Sequence, residues 1–113
     1  MCDTNQAVSI LGEVYHACNE LFDKKINDAY LYGSYARGDY HDESDIDILL
    51  TVDLEPDELP DYRKITFGVS GELSLKHGIM ISVTVKPLRQ FQQFETILPY
   101  YQNVIKEGIR YAG

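Results

Sequence analysis

The stretch Tyr32-Gly-Ser-Tyr-Ala-Arg-Gly-Asp-Tyr-His-Asp-Glu-Ser-Asp-Ile-Asp-Ile-Leu-Leu50 decides how this chain folds. Gly33-Ser34 ends a short apolar run over 28–32, Asp-Ala-Tyr-Leu-Tyr, which reads as a buried strand entering a turn. Tyr35 to Gly38 reads as one helical turn. Asp45 to Val52, Asp-Ile-Asp-Ile-Leu-Leu-Thr-Val, is the strongest strand signal in the chain. Its acidic start alternates with isoleucine before the run becomes wholly apolar.

These residue types suit one chemistry. Glycine lets a ligand come close to the backbone. A helix start offers unpaired N–H groups and a partial positive charge. The Ser34 hydroxyl adds a donor, so Gly33 and Ser34 together can seat a phosphate. Arg37, one turn on, can reach the same anion with its fork or pair with an acidic neighbour. Asp45 and Asp47 stand two apart, so on a strand they share one face, about 6–7 Å from each other. Paired carboxylates beside a phosphate seat suit magnesium, which takes carboxylate and phosphate oxygens. A nucleoside triphosphate would bind through that metal. Tyr35 and Tyr40 lie in the same loop, either packing or stacking on a base.

Outward from this stretch, a helix is expected over 5–23. Val8, Leu11, Tyr15, Cys18 and Phe22 mark its stripe, with Ile10, Val14 and Leu21 widening it, and Asp3 or Thr4 can cap its start. An acidic, proline-bounded loop follows at 54–60. A second long helix is expected over 61–77, with Tyr62, Ile65, Val69, Leu73 and Leu75 inward, Gly68 and Gly71 weakening it, and Gly78 ending it. A third strand over 78–85 places Ile79, Ile81, Val83 and Val85 on one face and Met80, Ser82 and Thr84 on the other. Residues 88–108 read as helix in pieces, broken at Pro99, with a last short strand at 109–111. The order α-β-β-α-β-α points to an α/β (α+β) domain: a small mixed sheet with helices packed on one face.

At 113 residues the chain is a single domain over 1–113, large enough for a core of its own. Ten basic against 18 acidic residues give a net charge of −8, which argues against gripping DNA or RNA. Ten of those acids fall between Asp39 and Asp61, where Lys and Arg are absent. Asp53, Glu55, Asp57, Glu58 and Asp61 form a loop that either aids solubility or docks a basic partner. Cys2 and Cys18 do not suggest a disulfide framework. They fit a terminal and a buried thiol in a reducing cytosol, so a cytoplasmic location is expected. His16, His41 and His77 lack metal-ligand spacing. No run is long enough to span a bilayer, and Met1-Cys2-Asp3 does not begin a secretory signal.

The motifs Gly33-Ser34, Ala36-Arg37-Gly38 and Ser44-Asp45-Ile46-Asp47 resemble the minimal nucleotidyltransferases of the DNA polymerase beta-like superfamily. The resemblance covers nearly the whole chain, down to Pro99-Tyr-Tyr-Gln-Asn-Val104 and Lys106-Glu-Gly-Ile109. It implies that Gly33 and Ser34 hold a triphosphate, with Arg37 in support. It implies that Asp45 and Asp47 hold magnesium and are the catalytic acids. A nucleoside monophosphate, AMP from ATP, would pass to an acceptor hydroxyl. Small members of the family often act beside a helical HEPN protein as its antitoxin, in some pairs by placing AMP on a tyrosine. Small members also often dimerise, although no interface is legible in the sequence. Larger relatives carry an extra acceptor-holding domain for which this chain has no residues.

One departure stands out. Active members carry a third carboxylate on the later strand, and residues 73–94 contain no Asp or Glu. Ser82 stands on the face where that acid belongs, and a hydroxyl is a poor magnesium ligand and no base at pH 7. Three readings follow. Glu72, Glu95 or a partner supplies the acid; the enzyme is slow; or the domain binds nucleotide and neutralises its partner by contact alone.

Overall fold

The structure, a computed structural model, describes residues 3–111. Cys2, expected as a terminal thiol, lies outside them. Helix α1 (Thr4–Leu21) starts at Asp3, whose carboxylate accepts from the Gln6 N–H while the Gln6 side chain accepts from the Asp3 N–H. This capping box satisfies two orphan donors and settles the cap on Asp3 rather than Thr4. Strand β1 (Ile26–Tyr32) leads into α2 (Ser34–Arg37), and β2 (Ile46–Val52) follows. A 3-10 turn at Pro56–Glu58 opens α3 (Leu59–His77). Then come β3 (Ile81–Pro87), α4 (Leu88–Phe94), α5 (Pro99–Glu107) and β4 (Ile109–Arg110).

The four strands form one mixed sheet in the order β3-β2-β1-β4. β1 pairs antiparallel with β2 and β4, while β2 and β3 run parallel, joined by α3 as a βαβ crossover. Long helices α1 and α3 pack on one face of the sheet, as the element order predicts. They bury Ile46, Ile48, Leu50 and Val52 of β2 together with Leu11, Val14, Cys18, Phe22, Leu31 and Ile81. Short helices α4 and α5 cover part of the opposite face, closing a second cluster of Leu49, Phe91, Tyr101 and Val104. β2 is therefore buried from both sides, which explains why its apolar run is unbroken from Ile48 to Leu50.

Most expected boundaries hold within a few residues, and three differences have clear causes. Strand β2 begins at Ile46, one residue after Asp45. Strand β3 begins at Ile81 rather than Gly78, because Gly78 takes φ +65° to end α3 and Ile79 stays in that turn, donating to the Ser74 carbonyl. Leu75, expected inward, is 87% exposed. It lies two residues past the inward-leaning Leu73, a rotation of about 200° around the helix. Leu21, expected to widen the α1 stripe, is likewise more than half exposed. Cys18 is buried as expected, and burial pushes its thiol up to about 11. Leu50→Ala is expected to cost about 2–5 kcal/mol by leaving a cavity under α1 and α3. Urea unfolding should show it as a lower midpoint with an unchanged slope.

Candidate active site

The β1–β2 hairpin places the motif. Its last cross-strand pair is Tyr32 with Asp47, and residues 33–45 form the connection. Gly33 leaves β1 with φ +77° and ψ −155°, in the region that favours glycine. A β-carbon on Gly33 would meet Asp47 Oδ2 at 2.5 Å, so the backbone here runs against the carboxylate. Sequence spacing of Gly33 and Asp47 thus becomes direct contact. Helix α2 starts at Ser34 and closes at Gly38, whose N–H donates to the Ser34 carbonyl. The return loop is tied by His41 and Ser44: the His41 N–H donates to Ser44 Oγ at 2.9 Å, and the Ser44 N–H donates to the His41 carbonyl at 3.0 Å. This loop delivers Asp45 to the start of β2.

Asp45 is exposed and Asp47 half-buried. Burial, and then the neighbouring Asp45, raise the Asp47 carboxyl above the ordinary range, against a smaller opposite pull from Arg37. Two like charges held close and partly dried are the condition that a divalent cation relieves. Arg37 pairs through Nε with Asp39 at 3.2 Å and lies 3.7 Å from Glu107 of α5. Its fork thus has two acidic side chains within reach on the surface.

The parallel register fixes what periodicity leaves open. Ser82 is the direct partner of Asp47 across β2 and β3, and Thr84 is the partner of Leu49. Ser82 thus stands on the adjoining strand, beside Asp47, where a third carboxylate was expected. Among the described residues no group of three His, Cys, Asp or Glu can hold a metal, so neither Glu72 nor Glu95 completes the pair. The two carboxylates here, Asp45 and Asp47, are oxygen donors of the hard type that magnesium accepts, one carboxylate short of the expected set.

The sequence reading missed a cluster of hydroxyls on the same face. Tyr100 of α5 donates to the Tyr32 hydroxyl at 2.8 Å. Burial, reinforced by Tyr32, holds the Tyr100 phenol well above its ordinary range, and Asp47 adds to the effect. Tyr32 had a strand position but no partner across it until the hairpin register was known. Tyr35 and Tyr40, considered for base stacking, stack on each other at 4.5 Å and 13°. Tyr35 is buried, so its ring belongs to the core rather than to a ligand.

A small mixed sheet bearing a glycine-serine turn and paired aspartates at one end defines a class of nucleotide-handling domains. Residues 12–111 match the nucleotidyltransferase domain family, and the chain belongs to it. It is 34% identical over 98 residues to a candidate protein adenylyltransferase of Methanocaldococcus jannaschii, covering 87% of this chain and 90% of that protein. A second such protein of the same organism is 36% identical, over 68% of this chain and 76% of its own length. Two solved structures share the fold. One is a toxin–antitoxin with AMP-PNP, at TM-score 0.58 and 19% identity, covering 89% of this chain and 72% of that one. The other is a mutant form of the toxin–antitoxin MntA-HpeT, at TM-score 0.56 and 18% identity, covering 99% and 74%. Among the described residues no helix is long and apolar enough to cross a membrane.

Proposed function

We propose that this chain transfers AMP from ATP, with magnesium, to a hydroxyl of a protein partner, and that the partner is a helical HEPN-type toxin which the transfer silences. The observation that carries this is the contact of Gly33 with Asp47, which sets a phosphate-seating turn directly against a carboxylate pair. The names of the Methanocaldococcus relatives and the toxin–antitoxin structures support the acceptor class. In this reading Gly33 and Ser34 seat the triphosphate, and Arg37 steadies the loop. Asp45 and Asp47 hold magnesium, with Ser82 beside them. When bound, the metal offsets the charge of the triphosphate. The acceptor oxygen bonds to the α-phosphorus as the bond to the bridging oxygen breaks. Pyrophosphate leaves, and the acceptor proton passes to water. The host compartment is the cytoplasm, where ATP and reduced thiols coexist.

The test is label transfer. Purified chain, α-labelled ATP, magnesium and host extract should give a labelled protein band that disappears without magnesium. If ATP and the other nucleoside triphosphates all leave no band, the proposal fails. Ser82→Asp restores a carboxylate beside Asp47 and should raise the transfer rate at least about tenfold. An unchanged or lower rate would count against the missing-acid argument.

The absent third carboxylate favours a second reading, a domain that binds nucleotide and masks its partner by contact. Replacing Asp45 and Asp47 separates the two. Lost neutralisation supports chemistry, and retained neutralisation supports masking.

A further inference from the structure

We propose that Tyr100 of α5 accepts AMP in cis, so that the chain labels its own helix beside the acid pair. This rests on the reaction proposed above and adds an acceptor to it. Tyr32 and Asp47 are cross-strand partners, so both side chains stand on one face of the sheet. Tyr100 reaches that face from α5 and donates to the Tyr32 hydroxyl at 2.8 Å. The two ring centroids lie 5.6 Å apart, with the planes tilted by 50°. Asp47 is close enough to act on the Tyr100 phenol electrostatically. Tyr100 is 39% exposed, so a ligand can reach it. Its neighbour Tyr101 is buried against Phe91, and its hydroxyl accepts from the Gln90 amide.

The order of these groups along the sheet suits an in-line displacement. Tyr30 pairs with Leu49 and Tyr32 with Asp47, and Gly33 then leaves the strand toward Ser34. Tyr101 and Val104 of α5 pack on Leu49, so α5 lies on the inner side of Asp47. The Gly33–Ser34 turn lies on the outer side, beyond the strand end. A triphosphate seated on that turn, with its α-phosphorus by Asp47, directs its pyrophosphate toward the turn. An oxygen arriving from α5 then meets the phosphorus opposite the bond that breaks.

The step balances with ATP as the sole co-reactant. The Tyr100 oxygen bonds to the α-phosphorus as the bond to the bridging oxygen breaks, and pyrophosphate leaves. The Tyr100 proton already points at the Tyr32 oxygen. It passes to that oxygen while the Tyr32 proton goes to water, since a phenol both accepts and donates. Tyr32 thereby gives the proton a route on a face where Ser82 stands in place of the expected carboxylate. The smaller of the two cores holds α5 to the sheet, which lets the helix adjust to a bound nucleotide. Once labelled, Tyr100 carries AMP where the next ATP must sit, so each chain labels itself once and then stops.

Intact-mass measurement of the full chain, incubated alone with ATP and magnesium, tests it. One AMP per chain is expected, and peptide sequencing should place it on Tyr100. Tyr100→Phe keeps the ring, loses one exposed hydrogen bond and should keep its melt. It should gain AMP at least about a hundredfold more slowly. Tyr32→Phe should slow labelling about tenfold or more. Labelling in cis keeps its rate constant over about a tenfold dilution. Label on Ser82 or another residue, either variant labelled at the parental rate, or a rate constant that falls with dilution overturns the proposal. An unlabelled chain whose partner is labelled in host extract also overturns it, and leaves the reaction proposed above standing. If neither is labelled, both fall.

Discussion

Asp47→Asn will lower adenylyl transfer about a thousandfold or more while the protein remains folded. The change keeps the shape of the side chain and removes the charge that would bind magnesium and offset the triphosphate, a loss of several kcal/mol. Its effect on stability should run the other way. In the native protein Asp47 is half-buried and faces Asp45, so its carboxyl sits above its unfolded value. A raised carboxyl disfavours the charged native form, and that cost is present above the folded value. As pH falls toward the unfolded range the native protein takes up the proton and the cost disappears. The asparagine variant should therefore melt at or above the parent at pH 7, with the difference fading toward pH 3. Transfer rates and melting curves on the same samples check both parts. A variant that loses activity by unfolding would contradict the assignment.

Gly33→Ala should produce the second large loss, at least about a hundredfold in transfer, by a different route. Its β-carbon would stand 2.5 Å from Asp47 Oδ2, and its backbone would hold an L-residue at φ +77°. Strain of this type costs roughly 1–2 kcal/mol. The carboxylate must also swing away, so the distance between phosphate seat and acid changes. Both fold stability and activity should fall, unlike in Asp47→Asn. Gly38→Ala separates the two causes. Gly38 also has a positive φ, +86°, but a β-carbon there meets nothing within 4 Å. It should lower the melting temperature similarly and leave transfer nearly intact. Equal activity losses in both variants would show that backbone strain, rather than the approach to Asp47, matters.

What could be read from sequence here was local. Gly33-Ser34 and Asp45-x-Asp47 are separated by a fixed loop, and each carries its chemistry in its own few atoms. The strand alternation of Ile81, Ser82, Val83 and Thr84 also held, because a period of two shows within a handful of residues. Register was not legible. Whether Ser82 or Thr84 stands beside Asp47 depends on how β2 and β3 slide, and the crossover through α3, residues 53–80, sets that slide. Tertiary pairing likewise decided Tyr35 and Tyr40, since nothing local distinguishes a ring that stacks on its neighbour from one that awaits a base. The fate of Leu75 turned on helix phase: Leu73 and Leu75 look alike in composition and point almost opposite ways.

β2 belongs to two cores of unequal size, and this divides the cooperativity of the molecule. The cluster beneath α1 and α3 is extensive, whereas the one beneath α4 and α5 rests on Leu49, Phe91, Tyr101 and Val104. Sub-global opening follows the smaller set of contacts, so amides of α4 and α5 should exchange with solvent faster than those of β2. Asp47 rides on the slow strand while Tyr100 rides on the fast helix. The two sides of the site therefore belong to different exchange classes, and the hydroxyl wall can loosen without the carboxylates losing their place.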